Sequence, residues 1–200
     1  MGSGSRNDIV EFVRKAGIVR PRELTSLGAT RVALAELVKS GALRRDGRGL
    51  YSVTNGDMTE HRTFAEVAKR IPKGVVCLLS ALRFHDLTDQ NPHEVWVAIE
   101  GQSWKPRFEY PPLRVFRFTG KAWHEGVERH VIDGVSVAVT GVAKTVADCF
   151  KFRNKIGLDV ALEALQDAWH KKKINTDELW HFAEVCRVLN VVRPYLDTLS

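Results

Sequence analysis

The chain has 200 residues, 44% of them hydrophobic, and 30 Lys and Arg against 24 Asp and Glu give it a net charge of +6. That length suits one large or two small domains with a real core. No apolar run approaches the ~18 residues of a membrane span, so no membrane partner is expected. No basic-then-apolar leader opens the chain, and a cytoplasmic protein is expected. Cys77, Cys149 and Cys186 are far apart, lack CxxC spacing and are odd in number, which argues against a disulfide framework and predicts three buried thiols. The charge is uneven. Residues 1–53 carry 10 Lys and Arg against 5 Asp and Glu, whereas the rest of the chain nets only +1. Such a bias points to a polyanionic partner.

In chain order, Met1 to Ser5 is set aside as a disordered lead. Asn7 to Ala16 reads as an amphipathic helix capped at Asn7 or Asp8, with Ile9, Val10, Phe12 and Val13 inward and Gly17 as its stop. Pro21 suits a first helical position, Leu24 and Leu27 give that short segment an apolar side, and Gly28 ends it through a positive φ. Thr30 is the N-cap of a further helix that turns Leu34, Leu37 and Val38 inward and Arg31, Ala35 and Lys39 outward. Leu43 to Val53 then reads as a hairpin turning at Asp46-Gly47-Arg48-Gly49. Helix, short helix, helix and basic hairpin describe a winged helix-turn-helix, whose second motif helix enters the major groove of duplex DNA. Its candidate DNA contacts are Arg20, Arg22, Thr30, Arg31, Ala35, Lys39, Arg44, Arg45 and Arg48.

Thr54 to Asp57 is a polar break, which divides the chain into a DNA-binding domain, 6–54, and a second domain, 58–200. In the second, Glu60 to Arg70 reads as a helix with Phe64, Val67 and Ala68 inward. Val75 to Leu87 is apolar on almost every face and reads as a buried helix, with a strand as the alternative for its first half. Glu94–Ile99 and Leu113–Phe118 are strands joined by a proline-rich loop. Val127–Ile132 and Val135–Val139 form a hairpin on Asp133-Gly134. Helices follow over Val142–Phe152, Leu158–Lys172 (with Leu158, Leu162, Leu165 and Trp169 as its apolar stripe) and Thr176–Leu189, then a tail to Leu199. The fold class is therefore α+β: an N-terminal winged helix-turn-helix, then an α+β domain with a small, mainly antiparallel sheet and C-terminal helices.

Catalytic signals are missing. His85, Asp86, Asp89 and His93 cluster without HxxxH or HxH spacing, and Glu100 is followed by Gly101 and Gln102 where a D…ExK nuclease needs a lysine. Neither GxSxG nor a phosphate-binding glycine loop occurs. No cofactor, metal or catalytic residue is assigned. Lys144, Lys151, Arg153 and Lys155 are dense enough to make a second basic surface, unless they only complement a helix C-terminus. Two alternatives stand beside a DNA-binding regulator. One is a nucleic-acid-processing enzyme that uses the winged helix for delivery, and the other is a regulator whose second domain senses a small molecule.

RGLYSV at the end of the wing, VVCLLSALRFHDLTDQNPHEVWVAI, and DGVSVAVTGVAKTVADCFKFRNKIGLDVALEAL together resemble the AbiEi antitoxins of type IV toxin–antitoxin systems. The similarity runs from about Ile9 to about Leu189, and it departs at Asp86, where the family pattern usually has glycine. The resemblance implies a bacterial protein whose winged helix binds inverted repeats in its own operator and represses transcription, with contacts on Thr30–Lys39 and Arg44–Arg48. It also implies a second domain that counteracts a co-encoded nucleotidyltransferase toxin without a stable complex and can add to DNA binding.

Overall fold

The computed structural model of the chain describes residues 5–56, 59–106, 108 and 110–196. The lead 1–4, Asp57 of the expected break and the end of the tail, 197–199, lie outside the described residues. Two compact units are present: Met1–Pro72 with His130–Val137, and Lys73–Arg129 with Ala138–Ser200.

The first unit begins with α1, Arg6–Ala16. Its N-cap is Ser5, not Asn7 or Asp8. The Ser5 amide donates to Asp8 Oδ2 at 2.8 Å and the Ser5 hydroxyl accepts from the Asn7 amide at 3.4 Å, so two otherwise open amides are satisfied reciprocally. Ile9 and Val13 are buried, and Phe12, expected inward, is exposed. Pro21–Leu27 is a 3₁₀ turn closed by Gly28 at φ 70°. The next helix, α2 (Arg31–Lys39), is capped as expected, with the Thr30 hydroxyl accepting from the Ala33 amide at 3.1 Å. Strands β1 (Leu43–Arg45) and β2 (Tyr51–Val53) pair antiparallel, with Leu43 opposite Val53. Val19 and Tyr51 exchange two backbone hydrogen bonds of 2.9 Å, which adds a short third rung. Ile9, Val13, Val19, Leu24, Leu34, Leu37 and Leu43 form the core.

Helix α3, Arg62–Arg70, completes this unit together with the turn around Asp133. A Cβ on Gly17 would fall 1.6 Å from the Asp133 carbonyl oxygen, and one on Gly134 would fall 2.7 Å from the Ala16 carbonyl carbon. The two glycines therefore permit backbone against backbone where no side chain fits.

The second unit holds most of a five-stranded sheet in the order β5-β4-β3-β7-β6. The strands are β3 (Val75–Val76), β4 (Val95–Glu100), β5 (Leu113–Phe118), β6 (Val127–Ile132) and β7 (Val135–Thr140). The expectation of a mainly antiparallel sheet is corrected: β3 pairs antiparallel with β4, but β4–β5 and β3–β7 are parallel. The reason is the Gly101–Pro112 segment. Its 12 residues are long enough to return the chain beside the start of β4, whereas an antiparallel neighbour needs only a tight turn. VWVAI of β4 is buried throughout, as suits an interior strand covered on both faces. Val75 to Leu87 splits between its two readings: a two-residue strand followed by the buried helix α4, Leu78–Phe84. Beyond α4, Asp86 takes φ 55°, the left-handed conformation a glycine would take there, and Asp is among the few side chains that tolerate it.

The remaining helices are α5 (Lys121–His124), α6 (Val142–Lys151), α7 (Arg153–Ile156), α8 (Leu158–His170), α9 (Thr176–Val185) and α10 (Leu189–Leu196). The buried stripe of α8 differs from the expected one. Leu165 is buried but Leu158 is exposed, and Ala161, Ala164 and Ala168 supply the rest of the packed face. Cys77, Cys149 and Cys186 are free and buried, as expected.

Candidate nucleic-acid interface

The nine expected DNA contacts all lie in the first unit, but the structure does not give them equal freedom. On α2 the helical period that sinks Leu34 and Leu37 lifts Arg31, Val32, Ala35, Glu36 and Lys39 into solvent. Arg31 and Lys39 make no side-chain hydrogen bond or ion pair among the described residues. Glu36, the one acid on this face, is tied to Arg6 by an ion pair. That pairing offsets a carboxylate that would otherwise repel phosphate. Val32 was not foreseen as a contact. It is 68% exposed beside Arg31, and a protruding valine is a group suited to the methyl of thymine. Its helical phase, opposite to Leu34 and Leu37, was the available signal. The Thr30 hydroxyl is occupied by the cap.

Arg45 and Arg48 are exposed on the hairpin, and the Arg45 Nε donates to the Gly47 carbonyl at 3.2 Å. Arg44 is turned to internal work. Its Nε donates to Asp46 Oδ1 at 2.9 Å and to Ser52 Oγ at 3.1 Å. Asp46 in turn accepts from Arg62 Nη2 at 2.7 Å, while the Arg70 Nη2 donates to the Asp46 carbonyl at 3.2 Å. Arg62 also bonds Ser52 at 2.9 Å and reaches Asp133 at 3.4 Å. A network of arginines and carboxylates thus fixes the base of the hairpin, and α3 supplies Arg62 and Arg70 to it. Nothing local in the sequence announces a partner 16 residues away, as between Asp46 and Arg62.

Electrostatically, the start of the 3₁₀ turn is crowded with cations. Burial and the nearby Arg22 and Arg70 lower the Arg20 pKa from its ordinary value, against the pull of Glu23, although an arginine remains charged. Glu23 is held by Lys69 at 2.7 Å. Burial pushes the Glu23 carboxyl up, but the bonds from Lys69 and the Arg20 amide and the charges of Lys69 and Arg22 outweigh it, leaving it below its ordinary value. Burial, and then Asp46, raises the Glu66 carboxyl despite Arg70 and Arg62.

The second basic surface needs correction. Lys144 is 0% exposed, and its ammonium is bonded to Asp148 Oδ2 at 2.5 Å and lies 4.6 Å from the centre of the Phe118 ring. It belongs to the interior because α6 is covered from residue 143 to 150 and has no solvent side there. Arg153 is half-buried and donates to the Phe150 carbonyl at 2.9 Å, leaving Lys151 and Lys155 exposed. Elsewhere, His85 is bonded through Nε2 to the Thr140 carbonyl oxygen at 2.8 Å. Among the described residues no three His, Cys, Asp or Glu converge to hold a metal, and no helix is long and apolar enough to cross a membrane.

Residues 7–54 match the family AbiEi_4, described as a transcriptional regulator, AbiEi antitoxin. The AbiEi match covers α1 through the end of the hairpin, the same segment that presents α2, Arg45 and Arg48. No curated protein matches the chain. Among solved structures the chain is similar to the crystal structure of the Rv2827c protein from Mycobacterium tuberculosis, at 13% identity and a TM-score of 0.61. That likeness covers 89% of this chain and 70% of the other, and it extends the shared fold well beyond the AbiEi segment.

Proposed function

We propose that the first unit is a winged helix-turn-helix that binds double-stranded operator DNA, and that the protein is an autorepressor and antitoxin acting against a co-encoded nucleotidyltransferase toxin. One observation carries the reading: the segment that matches a transcriptional-regulator family exposes a helix face of cations and small side chains beside a basic hairpin. α2 enters the major groove. Arg31 pairs with guanine O6 and N7, Val32 and Ala35 meet thymine methyls, and Lys39 meets phosphate. Arg45 and Arg48 touch phosphate or minor groove from the wing, and Arg20 and Arg22 add phosphate contacts at the 3₁₀ turn. Arg44 holds the wing in shape and does not meet DNA. Inverted repeats in the operator seat two copies, because one module alone makes few contacts. The antitoxin function is assigned to the second unit.

The test is equilibrium binding of the full chain to its own promoter fragment across a salt series. The five cations placed on the DNA backbone in each copy (Arg20, Arg22, Lys39, Arg45 and Arg48) predict a slope of log affinity against log salt of about −4 to −5 per bound copy. A slope near zero between about 50 and 200 mM salt overturns the reading.

A further inference from the structure

The second unit contains a cleft of about 400 Å³, lined by Thr119, Lys121, Lys151, His181, Glu184 and Arg187 among others. The three strong cations come from three separate places: the start of α5, the last residue of α6 and the turn after α9. All three are exposed, and none makes a side-chain hydrogen bond or ion pair among the described residues. His181 is turned aside to Glu125, with 3.0 Å between Nε2 and Oε2. Three strong cations against one carboxylate, Glu184, leave the concavity with an excess of positive charge, which an anion would balance.

Arg187 is held at φ 59°, where α9 closes through the Val188 amide on the Ala183 carbonyl at 2.8 Å. Glycine is the residue that suits this position, and an arginine there is strained. The volume falls within the range of small-molecule sites, about 300–1,000 Å³, and exceeds what a bare phosphate ion needs. Glu184 adds an acceptor that a phosphate would not seek but that suits the hydroxyls of a ribose, as acidic residues do in dinucleotide sites.

We propose that this cleft binds a ribonucleotide, with Lys121, Lys151 and Arg187 sharing its phosphate oxygens and Glu184 accepting from its ribose hydroxyls. The nucleotide is either free or the terminal residue of an RNA strand, since both offer the same groups. The proposal is independent of duplex recognition by the first unit.

Calorimetric titration of the full chain with ATP and, separately, with a short ribo-oligonucleotide tests it. Binding of ATP assigns the free nucleotide, and binding of the oligonucleotide alone assigns the strand end. Arg187→Gly is the decisive variant. It relieves the left-handed strain, so its melting temperature stays level or rises, while affinity falls at least tenfold. Lys151→Ala weakens binding similarly, and Lys155→Ala, an exposed cation outside the cleft, leaves it unchanged. ATP binds more tightly than 2′-deoxy-ATP, and Glu184→Ala, which removes the acceptor, erases that preference. Failure of both probes to bind at millimolar concentration, or full affinity in Arg187→Gly, overturns the proposal.

Discussion

The hairpin of residues 43–53 and helix α6 are both basic in sequence and end with opposite arrangements. In the hairpin, burial falls from Leu43 through Arg44 to Arg45 as the strand runs out toward the turn, which leaves Arg45 and Arg48 in solvent. In α6, every residue from 143 to 150 is buried, so Lys144 has no outward direction to take and is neutralised four residues on by Asp148. Cys186 adds a thiol bond to the other carboxylate oxygen at 3.1 Å. A dense run of lysine and arginine becomes surface charge only where its element has a wet side. Where it has none, the same residues are structural.

This contrast predicts the largest effect. Lys144→Met leaves Asp148 buried and unpaired and should cost about 3–5 kcal/mol in chemical denaturation, whereas Lys155→Ala should stay within about 0.5 kcal/mol. Burial already raises the Asp148 carboxyl, against the pull of Lys144, and loss of the lysine raises it further. A folded-state pKa above the unfolded value means that the folded protein binds the proton more tightly. The deficit of Lys144→Met should therefore shrink as pH falls from that raised value toward the ordinary carboxylate range. A deficit that grows on acidification would refute the buried pair.

The next effect is steric and belongs to the first unit. Gly17→Ala combines a positive φ with a 1.6 Å collision on the Asp133 carbonyl oxygen. It should lower stability by about 2–4 kcal/mol, read as a fall in melting temperature. A neutral result would show that the Asp133 turn does not rest on α1.

Within the basic hairpin unit the comparison can be sharpened between neighbours. Arg31→Ala should cost about 1–3 kcal/mol on operator DNA and little on random DNA, while Arg48→Ala should weaken both alike. Arg44→Ala should act mainly on stability, because its partners are Asp46 and Ser52. Equal losses for Arg31→Ala on both DNAs would remove α2 from the major groove.

The smallest effect is Glu23→Gln. Its ion pair with Lys69 is partly exposed, so the loss at neutral pH should be under about 1 kcal/mol. Because the Glu23 pKa is lowered in the folded protein, that contribution is complete above the ordinary carboxylate value and disappears as pH falls through the lowered one. Melting curves of both proteins across the acid range should converge.

What could be read from the sequence follows a physical division. Short-range devices were legible: the Thr30 cap, the Gly28 stop, the Asp46–Gly49 turn and the Asp133-Gly134 turn each depend on a few adjacent residues. Outward residues of α2 followed from helical period alone. Long-range choices were not legible. The parallel β4–β5 pair depends on the path of the Gly101–Pro112 segment, and the alanine face of α8 depends on how closely its neighbours approach, which hydrophobicity does not report. Arg44 and Lys144 looked like surface cations because the network at the base of the hairpin, where Arg62 also holds Asp46, and the covered faces of α6 are fixed by tertiary structure.

The glycine contact between residues 17 and 134 also bears on the order of assembly. A ribosome releases α1 first and the Asp133 turn more than a hundred residues later, at about 5–20 residues per second. Through that interval the end of α1 and Arg62 lack the turn against which they finally rest, so the first unit is the earliest to be synthesised but not the earliest to be finished. Its last contacts close a long loop, and stalled or truncated chains that end before residue 134 would carry the exposed face of α2 without its completed support.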